Sequence, residues 1–116
     1  IAWNALNILA ADIVTVYEYV QAQRLFCTPP SIAGRLKSER SMQTEIGEND
    51  IPFKLVSQGK NVYAVKVLEE DIFHSSKVYP FAKREQVQSA AGILLKIGQE
   101  VVGTLFINYR RPHDFS

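Results

Sequence analysis

The sequence predicts an α+β fold with one antiparallel sheet. Strand-like segments gather near the two ends of the chain and helical segments lie between and outside them. The last two strands are separated by so short a turn that they can pair only as a hairpin. At 116 residues, 47% apolar and 22% charged, the chain has material for one core and is no disordered polymer.

The first element, Ile1 to Ala11, is helical in character. Ile1, Ala5 and Ile8 form one apolar row at helical spacing and Trp3, Leu6 and Ala10 form another, with only Asn4, Asn7 and Ala11 as a weakly polar stripe. A surface helix needs a single apolar stripe. Trp3 and Leu6 are therefore expected to cover the sheet, which leaves the row of Ile1, Ala5 and Ile8 for another partner.

From Asp12 to Tyr19 the pattern changes to period two. Ile13, Thr15, Tyr17 and Tyr19 point to one face, and Val14, Val16 and Glu18 to the other. Gln21-Ala22-Gln23 breaks the pattern, and Arg24 to Cys27 returns as a second strand. Thr28 to Asn49, with Pro29-Pro30, Gly34 and Gly47, reads as a long irregular loop, the kind of segment that is usually functional or mobile.

Asp50 is placed to cap a short helix. Pro52 suits its first turn, Phe53, Leu55 and Val56 supply its apolar side, and Gly59 ends it. Asn61 to Val67 is predicted as a strand. Glu69-Glu70-Asp71 puts three acids where a helix start would favour them, and Ser75 to Gln86 reads as irregular.

Val87 to Lys96 and Glu100 to Tyr109 form the hairpin, with Gly98-Gln99 as its turn. Counted from that turn, Leu95 faces Val102, Ile93 faces Thr104, Ala91 faces Phe106 and Ser89 faces Asn108. Ala90, Gly92 and Leu94 then share the opposite face with Gly103, Leu105 and Ile107. Both faces are mostly apolar, so the sheet is expected to be covered on both sides.

Charge and residue types narrow the function classes. Thirteen basic and twelve acidic residues leave +1, so no long-range field draws in nucleic acid or an anionic membrane. Uncharged stretches are too short for a membrane span, and a cytoplasmic location is expected. A single cysteine excludes an internal disulfide and a cysteine-cluster metal site. Cys27 has no histidine near it in sequence to hold a thiolate, and reads as a small, half-buried strand residue.

The two histidines, His74 and His113, do not make a metal site, which needs three or four ligands. Only Glu70 and Asp71 lie near His74. Arg35, Lys37 and Arg40 share their stretch with Glu39, Glu45, Glu48 and Asp50, a mixed solvated loop rather than a phosphate track. There is no glycine-rich phosphate motif and no catalytic constellation, so the domain is not expected to be an enzyme.

Taken in order and spacing, several segments resemble the GAF domains of signalling proteins. They are Ala11-Asp12 before the first strand, the Asp50 to Gly59 helix, and the hairpin strands Ser89 to Leu95 and Val101 to Tyr109. The tail Arg110-Arg111-Pro112-His113-Asp114-Phe115-Ser116 resembles that family's entry to its closing helix. The resemblance spans residues 1–116 as one domain and is weakest over Thr28 to Asn49. It implies a PAS/profilin-like architecture: a five- or six-stranded antiparallel sheet, terminal helices on one face, and a small-molecule pocket under loops and short helices on the other. It also implies a domain excised from a longer chain whose closing helix lies beyond Ser116.

The same resemblance implies a sensory or regulatory input domain of a histidine kinase or cyclic-di-nucleotide enzyme. The alternative is a ligand-free dimerisation or interaction module. Bilin-binding relatives attach pigment through a cysteine followed by histidine, and here Phe73-His74-Ser75-Ser76 lacks the thiol. Methionine-sulfoxide-reducing relatives use several cysteines, and the cyclic-nucleotide pattern is absent. Haem at His74 is likewise not expected, so no cofactor is assigned beyond an unidentified small molecule.

Tyr17, Tyr19 and Phe106 are expected to share the pocket face. Apolar walls carrying a few convergent polar groups are the usual make-up of a small-molecule site. The candidate ligand-binding residues are Thr15, Tyr17, Phe26, Ile51 and Tyr79, with Ser89, Ala91, Phe106 and Asn108 from the final hairpin. Ile1, Ala5 and Ile8 are the candidate homodimer interface, and an output domain in the same full-length chain is the other expected partner.

Overall fold

The computed structural model describes residues 2–38, 50–69 and 78–115. In chain order these form helix α1 (Ala2–Leu9), strands β1 (Ile13–Val20), β2 (Leu25–Phe26) and β3 (Ser31–Gly34), and helix α2 (Ile51–Gln58). Strand β4 (Val62–Ala64), a 3₁₀ turn (Val67–Glu69), helix α3 (Val78–Glu85) and strands β5 (Ser89–Ile97) and β6 (Glu100–Tyr109) follow. Every strand pairing is antiparallel. The six strands run in the order β2-β1-β6-β5-β4, and β3 lies on the same edge of β1 as β2. The α+β class and the six-stranded antiparallel sheet agree with the sequence.

The alternation of β1 divides the sheet as expected. Tyr17 and Tyr19 enter one core with Phe26, Ile51, Leu55 and Phe106 beneath α2. Val14 enters another with Ala2, Ala33 and the half-buried Ala5, Leu6 and Val16 beneath α1. Helix α2 lies where predicted: Asp50 is extended at its N-cap position, though its side chain makes no cap hydrogen bond, Pro52 lies in the first turn, and the Gly59 N–H donates to the Leu55 carbonyl at its end.

Four parts of the chain differ from the sequence reading. The first is the loop from Thr28, which contains β3: Val14 lies opposite Ala33 and Thr15 opposite Ile32. Four residues after a pair of prolines carry too little alternation to announce a strand, and β1 supplies the ladder that makes them one. The second is Ser75 to Gln86, where Val78–Glu85 is helical. Pro80 sits in the first turn, where a missing N–H breaks no intrahelical bond. The predicted strand from Asn61 is also shorter than expected, Val62–Ala64, with Glu69 in the 3₁₀ turn. Glu70 and Asp71 lie outside the described residues.

The third correction is the hairpin register. Ile97 faces Glu100 and Lys96 faces Val101, as the two-residue turn requires, but the ladder slips between Leu95 and Lys96. Leu95 then faces Gly103, Ile93 faces Leu105, Ala91 faces Ile107 and Ser89 faces Tyr109. Val102 is the extra residue of a β-bulge. The slip sends Ser89, Ala91, Ile93 and Leu95 to the α1 face, away from Thr104 and Phe106. Both faces of the hairpin are apolar, so side-chain pattern penalises neither register.

The fourth concerns α1. Its buried stripe is Ala2 with Ala5 and Leu6, whereas Trp3 is 60% exposed. Small residues let the helix approach the sheet, and the indole is displaced to the flank. Ala5 therefore packs on the sheet, Ile8 remains 82% exposed, and Ile1 lies outside the described residues.

Candidate functional site

The α2 face of the sheet carries most of the predicted site. Residues paired across an antiparallel ladder share a face. Thr15 lies opposite Phe106, Tyr17 opposite Thr104 and Ile13 opposite Asn108, while Gly92 faces Phe106 and Leu94 faces Thr104 from the other side. Thr15, Tyr17, Phe26, Ile51, Phe106 and Asn108 are all buried. The structure thus brings six of the nine predicted residues together around one layer.

Aromatic rings fill that layer, mostly edge to face, with Tyr19 tilted against Phe26. Tyr17 lies 6.4 Å from Phe26 and 6.1 Å from Phe106, both T-shaped. Phe26 stands 4.7 Å from Tyr19 and 4.8 Å from Phe53 of α2. Such pairs add roughly 0.5–1.5 kcal/mol each beyond the area they bury. Gly92 is what lets α2 settle onto the hairpin: a Cβ there would meet Phe106 at 3.0 Å, Val62 at 3.1 Å and Leu55 at 3.2 Å.

The polar groups within the layer differ in how they are satisfied. Asn108 Nδ2 donates to the Ile13 carbonyl at 3.3 Å, which stitches β6 to β1. Burial, reinforced by the negative Asp50, pushes the Tyr17 phenol well above its usual range. Thr104 is fully buried, and its Oγ1 has no hydrogen-bond partner among the described residues. The hairpin count set Thr104 opposite Ile93 and did not single it out as a site residue.

Two other predicted residues lie elsewhere. Ser89 accepts a hydrogen bond from the His113 N–H at 2.9 Å and donates to the Val65 carbonyl, so its hydroxyl is occupied in holding the chain's exit. Ala91 packs with Ile107 and Tyr109 on the α1 face. Tyr79 belongs to α3, with its side chain outside the description.

Other candidates carry no assembled chemistry. Cys27 is exposed rather than half-buried. The His113 ring stacks on Tyr109 at 3.8 Å and 4°, serving as a packing surface. His74 and Arg40 lie outside the described residues. Among those described, no three His, Cys, Asp or Glu side chains gather as a metal site, and no helix is long and apolar enough to cross a membrane. A shallow cleft of about 370 Å³ lies at the end of α3, lined by Leu68, Ala82, Lys83, Gln86, Val87 and Gln88. None of the predicted site residues lines it.

Several solved structures with this architecture are GAF domains. The GAF domain of a phosphoenolpyruvate-protein phosphotransferase from Acinetobacter matches with a TM-score of 0.72 at 13% identity, over 99% of this chain and 65% of that one. Free methionine-R-sulfoxide reductase from Neisseria meningitidis, solved with its substrate, matches at 0.70 and 14%, over 99% and 62%. The GAF domain of a two-component sensor histidine kinase from Bacillus halodurans matches at 0.71 and 14%, over 97% and 76%. The chain thus spans just under two thirds of the first two. No protein-family model matches the sequence, and no curated protein matches it. At these identities the likeness is one of fold, and the fold is the GAF fold.

Proposed function

We propose that this domain is a sensory or regulatory input module of a longer signalling protein, of the histidine-kinase or cyclic-di-nucleotide-enzyme type. In this reading a small molecule enters the aromatic layer under α2 and shifts the segments that flank the sheet. The kinase and phosphotransferase settings of the similar structures support the regulatory part. The observation that carries the ligand part is Thr104. A buried hydroxyl without a partner costs about 1–3 kcal/mol, and a ligand that bonds it would recover that cost. Tyr17, Phe26 and Phe106 would stack on the ligand, with Thr15 and Asn108 at its polar edge. A hydroxyl both donates and accepts, so a molecule with one hydrogen-bonding group suits this face.

A thermal-shift screen tests the reading, because a ligand that binds only the folded state raises Tm by mass action. Nucleobases, amino acids, amines, organic acids and tetrapyrroles cover the chemistries at issue. Thr104→Val is the informative control. Without ligand it is expected to raise Tm by about 4 °C, since removing an orphaned hydroxyl is worth roughly 1 kcal/mol. With ligand it should lose the response. A library that never moves Tm, or hits that act equally on Thr104→Val, would count against the ligand reading.

A second reading, a dimerisation module, draws on α1. Ile8 is 82% exposed and Trp3 60%, on either flank of the stripe that meets the sheet. Apolar area in water is unfavourable by about 25 cal/mol per Å², and a twofold copy would cover Ile8. Light scattering on the wild type should then give a dimer and Ile8→Lys a monomer. A wild-type monomer at high concentration would remove this reading.

A further inference from the structure

At the end of the sheet where β6 finishes and β1 begins, one ion pair collects four separate stretches of chain. Glu85, the last residue of α3, is completely buried, and its carboxylate lies 2.7 Å from an Arg110 guanidinium nitrogen. The same carboxylate accepts the Lys37 N–H at 2.6 Å and the Ser38 N–H at 3.0 Å. Arg110 donates further, from Nε to the Glu85 carbonyl at 2.8 Å and from Nη2 to the Arg35 carbonyl at 2.9 Å. Its own N–H donates to the Asp12 carboxylate at 2.7 Å, and its carbonyl accepts from the Gln88 amide at 3.1 Å.

The connected stretches have different roles. Residues 35–38 follow directly on β3. Arg110 is the first residue past β6, where the chain leaves the sheet. Asp12 opens β1 just after α1. There Arg111 donates to the Ala10 carbonyl at 2.7 Å, and the Tyr109 hydroxyl to the Leu9 carbonyl at 2.9 Å. A single guanidinium thus holds the loop after β3, the end of α3 and the exit of β6 together, one bond away from the end of α1.

We infer that the Glu85–Arg110 pair is a coupling joint: residues 35–38 and residues 110–113 open and close as one unit. A movement of the loop after β3 is then delivered to the chain's exit and to α1 without passing through the sheet. The physical ground is the penalty for half a pair. Releasing 35–38 strips the buried carboxylate of two donors, and releasing Arg110 strips it of a guanidinium, so each release raises the cost of keeping the other in place. Lysine could not replace the arginine, because one ammonium lacks the planar fork that reaches two carbonyls and a carboxylate at once. The inference rests on the regulatory reading only for its use; the joint itself needs no ligand.

Native-state amide exchange on the wild-type chain tests it, since cooperative units show themselves as amides that share one opening. The N–H groups of Lys37, Ser38, Arg110 and His113 are expected to follow one denaturant dependence, distinct from the β5–β6 hairpin. In Arg110→Lys, the Lys37 and Ser38 amides should exchange about a hundredfold faster while the hairpin amides stay protected. Separate openings for 35–38 and 110–113 in the wild type would overturn the inference. So would unchanged Lys37 and Ser38 rates in a folded Arg110→Lys. If that variant does not fold, the wild-type isotherms decide alone. Because no ligand is present, failure here leaves the ligand reading to its own screen.

Discussion

Gly34→Ala is expected to cost about 4 kcal/mol of stability, combining steric overlap with a backbone strain of roughly 1–3 kcal/mol. Gly34 closes β3 at φ 106°, a conformation closed to side-chain-bearing residues, and a Cβ there would lie 2.2 Å from the Asp12 carbonyl oxygen. Relief requires prising β3 from β1, which exposes Ala33 and Val14 from beneath α1. Native domains hold only about 5–15 kcal/mol in all, so the variant should unfold at much lower urea. A loss under 0.5 kcal/mol would mean that β3 does not end against Asp12.

Phe106→Ala is expected to cost about 3–5 kcal/mol, the usual loss for a buried aromatic ring. The ring sits at the junction of β1, β5, β6 and α2, in contact distance of Tyr17 and of any Cβ at Gly92. Val102→Ala should cost far less, because the bulge takes Val102 out of the pairing. Urea denaturation of the two variants therefore reads the register. Equal losses would favour the unbulged hairpin, in which Val102 and Phe106 share a face and a layer.

The sequence spoke clearly wherever local chemistry and tertiary demand coincided. The alternation of β1, the cap-proline-glycine frame of α2 and the turn at Gly98-Gln99 each need only neighbouring residues, and each stands where it was expected. Local signals failed where a distant partner decides. Ser31–Gly34 becomes a strand because β1 offers an edge, and α3 forms despite Pro80 because the proline falls in the first turn. The bulge after Leu95 has no local mark either, since Ile93, Leu95, Leu105 and Ile107 could line one face as readily as the other.

That slip also explains which site residues were legible. Thr15, Tyr17, Phe106 and Asn108 lie on β1 and β6, whose mutual register was set by burial of one alternating face, and they meet as expected. Ser89 and Ala91 were assigned through the hairpin count and so were carried to the wrong side. The Glu85–Arg110 joint was invisible for a simpler reason. Its parts are 25 residues apart, and its other partners on residues 35–38 are backbone groups, which leave no trace in a sequence.

The central claim is that the aromatic layer under α2 is the ligand-responsive part of the domain, and threonine-methyl and aromatic NMR tests it most directly. With any compound that raises Tm, the Thr104 and Thr15 methyls and the Tyr17 and Phe106 rings are expected to shift at the lowest ligand ratios. Trp3 and the Ile8 and Ile93 methyls on the α1 side should move later or not at all. A binder that shifts the α1 side while Thr104 and Tyr17 stay still would contradict the account.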